Sequence, residues 1–193
     1  PTINLDERVV VGNAFPDFIA SVGSNLKYKG IGLNFLLEWK EGGDLYDSGQ
    51  RNSIRNGILE STLQRDVNVV LDGVMDDGNG GVVPNTTEAL IDQNYYRNSS
   101  VYNRASEILV QDASWLKIRN IALSYDFPAK LTRSFSLDKV SVSASANNIL
   151  LWTPFDGYDP EGNQYSAGSN VYGFTGLNIP LAQSYSFGLN IAF

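Results

Sequence analysis

Along residues 17–28 apolar side chains recur at the even positions Phe18, Ala20, Val22, Leu26 and Tyr28, while Asp17, Ser21, Gly23, Asn25 and Lys27 take odd ones. A period of two marks a strand with one apolar and one polar face. Beyond Lys29-Gly30 the apolar set moves to Ile31, Leu33, Phe35, Leu37 and Trp39, so residues 30–41 read as the second arm of a tight hairpin. Each arm reaches the roughly 9–11 residues that a tilted strand needs to cross a bilayer.

Between residues 42 and 106 the alternation vanishes among Gly, Asn and Asp. The only local signal is Asn85-Thr86-Thr87-Glu88 before Ala89-Leu90-Ile91, a capping-box spacing that predicts a short helix. Such a long irregular stretch is uncommon within a compact domain and ordinary on the outer side of a membrane barrel. Alternation returns over 107–127, where Leu116 and Ile118 give way to Ile121, Leu123, Tyr125 and Phe127. That change of phase predicts a β-bulge near Asn120. After Pro128 and a short connection, residues 137–152 form a further strand and 153–182 a second irregular stretch.

The last strand, 183–193, carries the sharpest pattern. Tyr185, Phe187, Leu189, Ile191 and Phe193 alternate with Ser184, Ser186, Gly188, Asn190 and Ala192. An amphipathic strand with an aromatic end can be captured by edge pairing during barrel assembly, so these five side chains read as a barrel-assembly signal engaging the assembly machinery. The fold class expected is therefore all-β, with antiparallel strands forming the last portion of a large transmembrane β-barrel. Five strands are too few to close and odd in number, whereas bacterial barrels count evenly. Short turns face the periplasm and long loops the exterior, which puts 42–106 and 153–182 outside and 128–136 inside.

Composition narrows the chemistry. A net charge of −7 and the absence of basic runs exclude a phosphate backbone as partner. Zero Cys and zero His remove thiol and imidazole catalysis and most metal ligation, so no cofactor is expected. No run of about 18 apolar residues can form a membrane helix, but strands escape that test. The charge itself follows the topology. In the first loop nine acids face five bases, and the second adds Asp156, Asp159 and Glu161 without a base, which together account for the whole net charge.

Several segments resemble the SusC/RagA group of TonB-dependent outer-membrane transporters of Bacteroidetes. They are Ala14-Phe15-Pro16-Asp17-Phe18, Glu41-Gly42-Gly43-Asp44-Leu45-Tyr46, the run from Asp112-Ala113-Ser114-Trp115 through Phe127-Pro128, Ala146-Asn147-Asn148-Ile149-Leu150, Gly157-Tyr158-Asp159-Pro160-Glu161 and the terminal Ser186-Phe187-Gly188-Leu189-Asn190-Ile191-Ala192-Phe193. The resemblance implies a plugged barrel of about 22 strands, of which residues 1–193 are the carboxy-terminal portion without plug or amino-terminal domains. It implies import of oligosaccharides or peptides with a SusD-like surface lipoprotein over the mouth. Energy would come from TonB, through parts of the protein other than these. The alternative is a soluble or surface β-sandwich that binds glycans, distinguished by burial of the apolar strand faces between two sheets.

Candidate side chains follow from both readings. Tyr95, Tyr96, Tyr102, Tyr158, Tyr165 and Tyr172 make the loops aromatic, which suits stacking on substrate, contact with a lid lipoprotein, or packing between loops. Asp72, Asp76 and Asp77 beside Gly78 supply oxygens for Ca²⁺ without EF-hand spacing; a solvated turn is the competing reading. Trp39, Trp115 and Trp152 are expected in an aromatic girdle at the outer strand ends. No carboxylate pair stands out for glycosidase chemistry, so catalytic residues are not expected.

Overall fold

The computed structural model describes residues 8–98, 106–165 and 169–193. Its frame is an antiparallel sheet of β1 (Pro16–Tyr28), β2 (Ile31–Gly42), β9 (Trp115–Asp126), β10 (Lys139–Trp152) and β12 (Ser184–Ala192), ordered as they occur in the chain. The smaller elements between them are β3 (Asp44–Asp47), α1 (Ser48–Asn56), β4 (Val67–Val70), β5 (Val74–Asp76), β6 (Val82–Pro84), β7 (Glu88–Ile91), α2 (Gln93–Asn98), β8 (Val110–Asp112) and β11 (Phe174–Thr175). Among the described residues the sheet is open: β1 and β12 each pair on one side only, and the strands close no barrel.

Turn chemistry sets the register of the first hairpin. Lys29 and Gly30 have φ of 47° and 87°, the left-handed pair that matches the twist of the flanking strands. Tyr28 therefore faces Ile31, and Leu26 faces Leu33. From there the apolar rows run across the sheet. Leu26, Leu33, Leu123, Ala144 and Phe187 are successive partners, and all five sit on one face.

The phase change in β9 is a bulge. Leu36 pairs with Asn120 but Leu37 pairs with Ile118, so Arg119 is the extra residue that returns Ile118 and Leu116 to the apolar face. The pairing of β10 slips at the same height, where Asn147 faces Asn120 and Leu150 faces Ile118. Asn148 absorbs the slip with φ of 52°, a conformation Asn tolerates better than most residues. Above the bulges, Trp39 and Trp152 both face Leu116, and Phe18 packs edge-on against Trp39 with ring centroids 4.8 Å apart. Trp115 departs from the expected girdle. It lies on the polar face and is buried, because its alternation with Leu116 leaves the apolar row to the latter.

The described part of the first loop, residues 42–98 and 106, is not the irregular stretch that fading periodicity predicts. Ile54, Ile91, Tyr96 and Leu109 form a small core, lined by Tyr46, Leu59, Val69, Leu71 and Tyr95. The anticipated helix after Asn85 is strand β7, paired with β4. Asn85 turns the chain instead of capping it: its Oδ1 accepts the Thr87 N–H at 3.0 Å and its Nδ2 donates to the Leu71 carbonyl at 2.8 Å. The predicted strand 107–127 is likewise divided. Val110–Asp112 pairs with β3, and a break at Ala113-Ser114 precedes β9. A second core of Leu45, Ala113 and Phe155 joins the two loop regions, and β11 adds to β3 in parallel. The result is one folded cap at the end of the sheet opposite Lys29-Gly30.

Candidate functional site

The polar face of the sheet gathers its buried charge where it meets the cap; at the far end it carries only exposed charges, Lys27 opposite Gly32 and the Lys139–Asp126 pair at 3.3 Å. Across three rows below the bulge it is mostly small and uncharged: Gly32, Ser124, Ser143 and Gly188 are successive partners, as are Asn34, Ala122, Ser145 and Ser186. Asn120 Nδ2 donates to Asn147 Oδ1 at 2.7 Å, and Asn147 Nδ2 donates to Ser184 Oγ at 3.0 Å. Above them, Glu38 pairs in register with Lys117.

Lys117 is only 4% exposed, a position an ammonium holds only with partners. It donates to Asp159 Oδ1 at 3.0 Å and also pairs with Glu161. Arg119, released toward this face by the bulge, bridges Glu38 and both oxygens of Glu161. The Trp115 ring stands beside both cations, 5.3 Å from Lys117 Nζ and 5.0 Å from Arg119 Cζ, within cation–π range. Two carboxylates of the second loop are thus fastened to β9 through two cations.

The two acids respond alike. Burial pushes the Asp159 carboxyl up, but the N–H groups of Glu161 and Leu181 and the Lys117 ammonium outweigh it and hold the group below its ordinary value. Burial also opposes ionisation of Glu161, and Arg119 and Lys117 overcome it in the same way. Asp47 behaves differently. Burial dominates there and raises its pKa despite the Gln50 and Gly49 N–H groups, with Asp156 adding to the rise.

The predicted aromatic residues do not converge. Tyr96 is buried in the first cap core, where its hydroxyl donates to the Gln64 carbonyl at 2.9 Å. Tyr95 meets it edge-on at 5.4 Å. Tyr165 packs on Phe174 at 5.9 Å and Tyr172 on Phe15 at 6.1 Å. Tyr158 alone stands 66% exposed over a cleft; Tyr102 lies outside the described residues. Asp76 and Asp77 shape the β5–β6 turn, accepting the N–H groups of Gly78, Asn79 and Gly81 at 2.7–2.9 Å. Asp72 joins no cluster, and among the described residues no group of three acidic side chains is placed to hold a metal. Tyr185, Phe187, Leu189 and Ile191 lie on the apolar face of β12, and Phe193 follows it, 90% exposed.

Lys117 and Arg119 escape sequence reasoning as site residues. Their one visible signal is a pair of cations near the start of the polar phase of a strand that continues there with Asn120, Ala122 and Ser124.

No family model matches the chain. Two TonB-dependent receptors of Formosa agariphila do: one is 28% identical over 97% of this chain and 17% of its own length, the other 23% identical over 99% and 18%. The chain therefore spans less than a fifth of the curated relatives it matches. Among solved structures, the RagAB peptide importer in its open-open state superposes with a TM-score of 0.62 at 18% identity, covering 100% of this chain and 19% of the other. The closed-closed state gives a TM-score of 0.64 at the same identity and coverage. At that identity the superpositions establish a shared fold.

Proposed function

Starting from the homology of this chain to TonB-dependent receptors along its whole length, we propose that it is the carboxy-terminal portion of an outer-membrane importer. Its five long strands are a segment of barrel wall, and its cap is part of the extracellular vestibule. The observation that carries the reading is the two-sidedness of the sheet. One face is a continuous apolar field, with Val22, Leu26, Leu123, Phe187 and Leu189 all more than half exposed, and a soluble domain does not leave such a field bare. The other face is polar and topped by a charged junction, as a lumen wall requires. The expected cargo is an oligosaccharide or peptide, passed on by binding and gated movement without bond chemistry. A SusD-like lipoprotein over the cap and TonB acting through other parts of the protein complete the reading.

Orientation tests it directly. The chain lacks Cys, so Asn79→Cys, Asn163→Cys and Ser134→Cys can be introduced singly into the full-length protein and treated in intact cells with an impermeant thiol reagent. The two cap positions should label and Ser134→Cys should stay protected. The reverse pattern would sink the proposal.

A further inference from the structure

Between the two halves of the cap lies a cleft of about 450 Å³ that neither the wall nor the charged junction uses. One side is the start of α1 and the following turn, and the other is residues 156–158 with 176–177. The cleft is preformed. Ser48 Oγ donates to the Thr175 carbonyl at 2.8 Å, and Gln111 joins the two sides, accepting the Asp156 N–H at 2.8 Å and donating to Gln50 Oε1 at 3.2 Å. Glycines let its walls pack closely. A Cβ on Gly49 would stand 2.8 Å from the Gly176 carbonyl carbon, and one on Gly157 would fall inside the Phe155 ring at 2.1 Å.

Its lining is mixed and of one sign. Asp47, Glu60 and Asp156 border it, no Lys or Arg does, and none of the three acids has an ion-pair partner among the described residues. Leu59 and Leu177 supply apolar surface, and the exposed ring of Tyr158 stands at the rim. Carboxylates, an aliphatic wall and an aromatic face together match a positively charged nitrogen on an aliphatic stem, the stem against the leucines and the charge between the acids and the ring. A neutral sugar would use the ring and the acceptors but leave three negative charges uncompensated. Burial and, to a lesser degree, the neighbouring Asp156 carboxylate raise the Asp47 pKa; a bound cation offsets that cost.

We propose that this cleft is a subsite for a cationic side chain or amino terminus of a peptide, which, resting on the importer reading, makes basic peptides its cargo class. The test uses the purified full-length protein and calorimetry with three probes: N-acetyl-glycyl-lysyl-glycinamide, the same peptide acetylated on the lysine, and maltotriose. The lysine peptide should bind, and acetylation should weaken it by about tenfold or more, the factor of one charge-assisted hydrogen bond. The double variant Glu60→Gln/Asp156→Asn, which spares the helix-capping Asp47, should cause a similar loss, and Tyr158→Ala a smaller one. Equal affinity for both peptides, preference for maltotriose, or no binding by a protein that labels correctly at Asn79→Cys and Asn163→Cys would each overturn the subsite while leaving the importer reading intact. Binding as expected with reversed labelling would do the opposite.

Discussion

Lys117 is the residue on which the cap is hinged to the wall, and its environment says what its loss costs. Removing one partner of a buried ion pair leaves the other charge uncompensated, at roughly 3–5 kcal/mol. Asp159 is as deeply buried as Lys117, so Lys117→Met strands a carboxylate that still accepts backbone N–H bonds from Glu161 and Leu181. The damage should be local. Hydrogen exchange in the full-length protein should quicken across residues 153–182 and leave β10 and β12 unchanged, and uniform protection in the variant would show that the pair fastens nothing. Gly30 makes a second residue-scale case. With φ of 87° and a prospective Cβ only 2.6 Å from the Asp126 carbonyl, Gly30→Ala combines backbone strain with a backbone clash. It should cost at least about 1 kcal/mol, read as a lowered melting temperature, and Lys29→Gly should not.

Among elements, the junction between the second loop and β9 is also the site of acid sensitivity. Asp159 and Glu161 have folded pKa values below their unfolded ones. Their contribution is therefore fully present above the unfolded values near 3.8 and 4.5 and is lost as pH falls through the lower folded values. Protease cleavage within 153–182 should stay slow down to about pH 5 and rise in more acid solution. A rise already near neutrality would contradict the assignment. Elements also mark how far the sequence can be read. The wall strands were legible because alternation is local, and even the bulge at Arg119 showed as a slip of phase between Ile118 and Ile121. The ion pairs were not, since Lys117 and Asp159 meet across 42 residues through a register that no single strand reveals. Nor was the cap core. Ile54, Ile91, Tyr96 and Leu109 come from four short elements, each too brief to show a period, and Asn85 offers the same side-chain oxygen to a turn as to a helix cap.

For the whole molecule the question is what covers the apolar face, and the sheet itself defines the experiment. A β-sandwich would bury this face against a second sheet; among the described residues no sheet lies over it, and its central rows stay largely exposed, with Leu123 at 54% and Phe187 at 85%. In a barrel wall the same rows face hydrocarbon. Leu123, the ninth of the twelve residues of β9, is flanked by Leu33 and Ala144 in the third of the six apolar rows that β10 marks from Val140 to Trp152, close to the level where a lipid-facing charge is worst tolerated. Leu123→Arg in the full-length protein should therefore lower stability by roughly 2–4 kcal/mol, the cost of arginine near the bilayer midplane. Ser145 is the control at nearly the same height. It lies one residue from Ala144 and so points to the polar face, between Ala122 and Ser186, where Ser145→Arg meets water or polar neighbours and should leave the unfolding midpoint in lipid vesicles close to that of the parent. The difference between the two variants isolates the environment of one face from the general effect of a bulky charge. If both arginines cost the same, the apolar field of this sheet does not face lipid, and the barrel-wall reading falls with it.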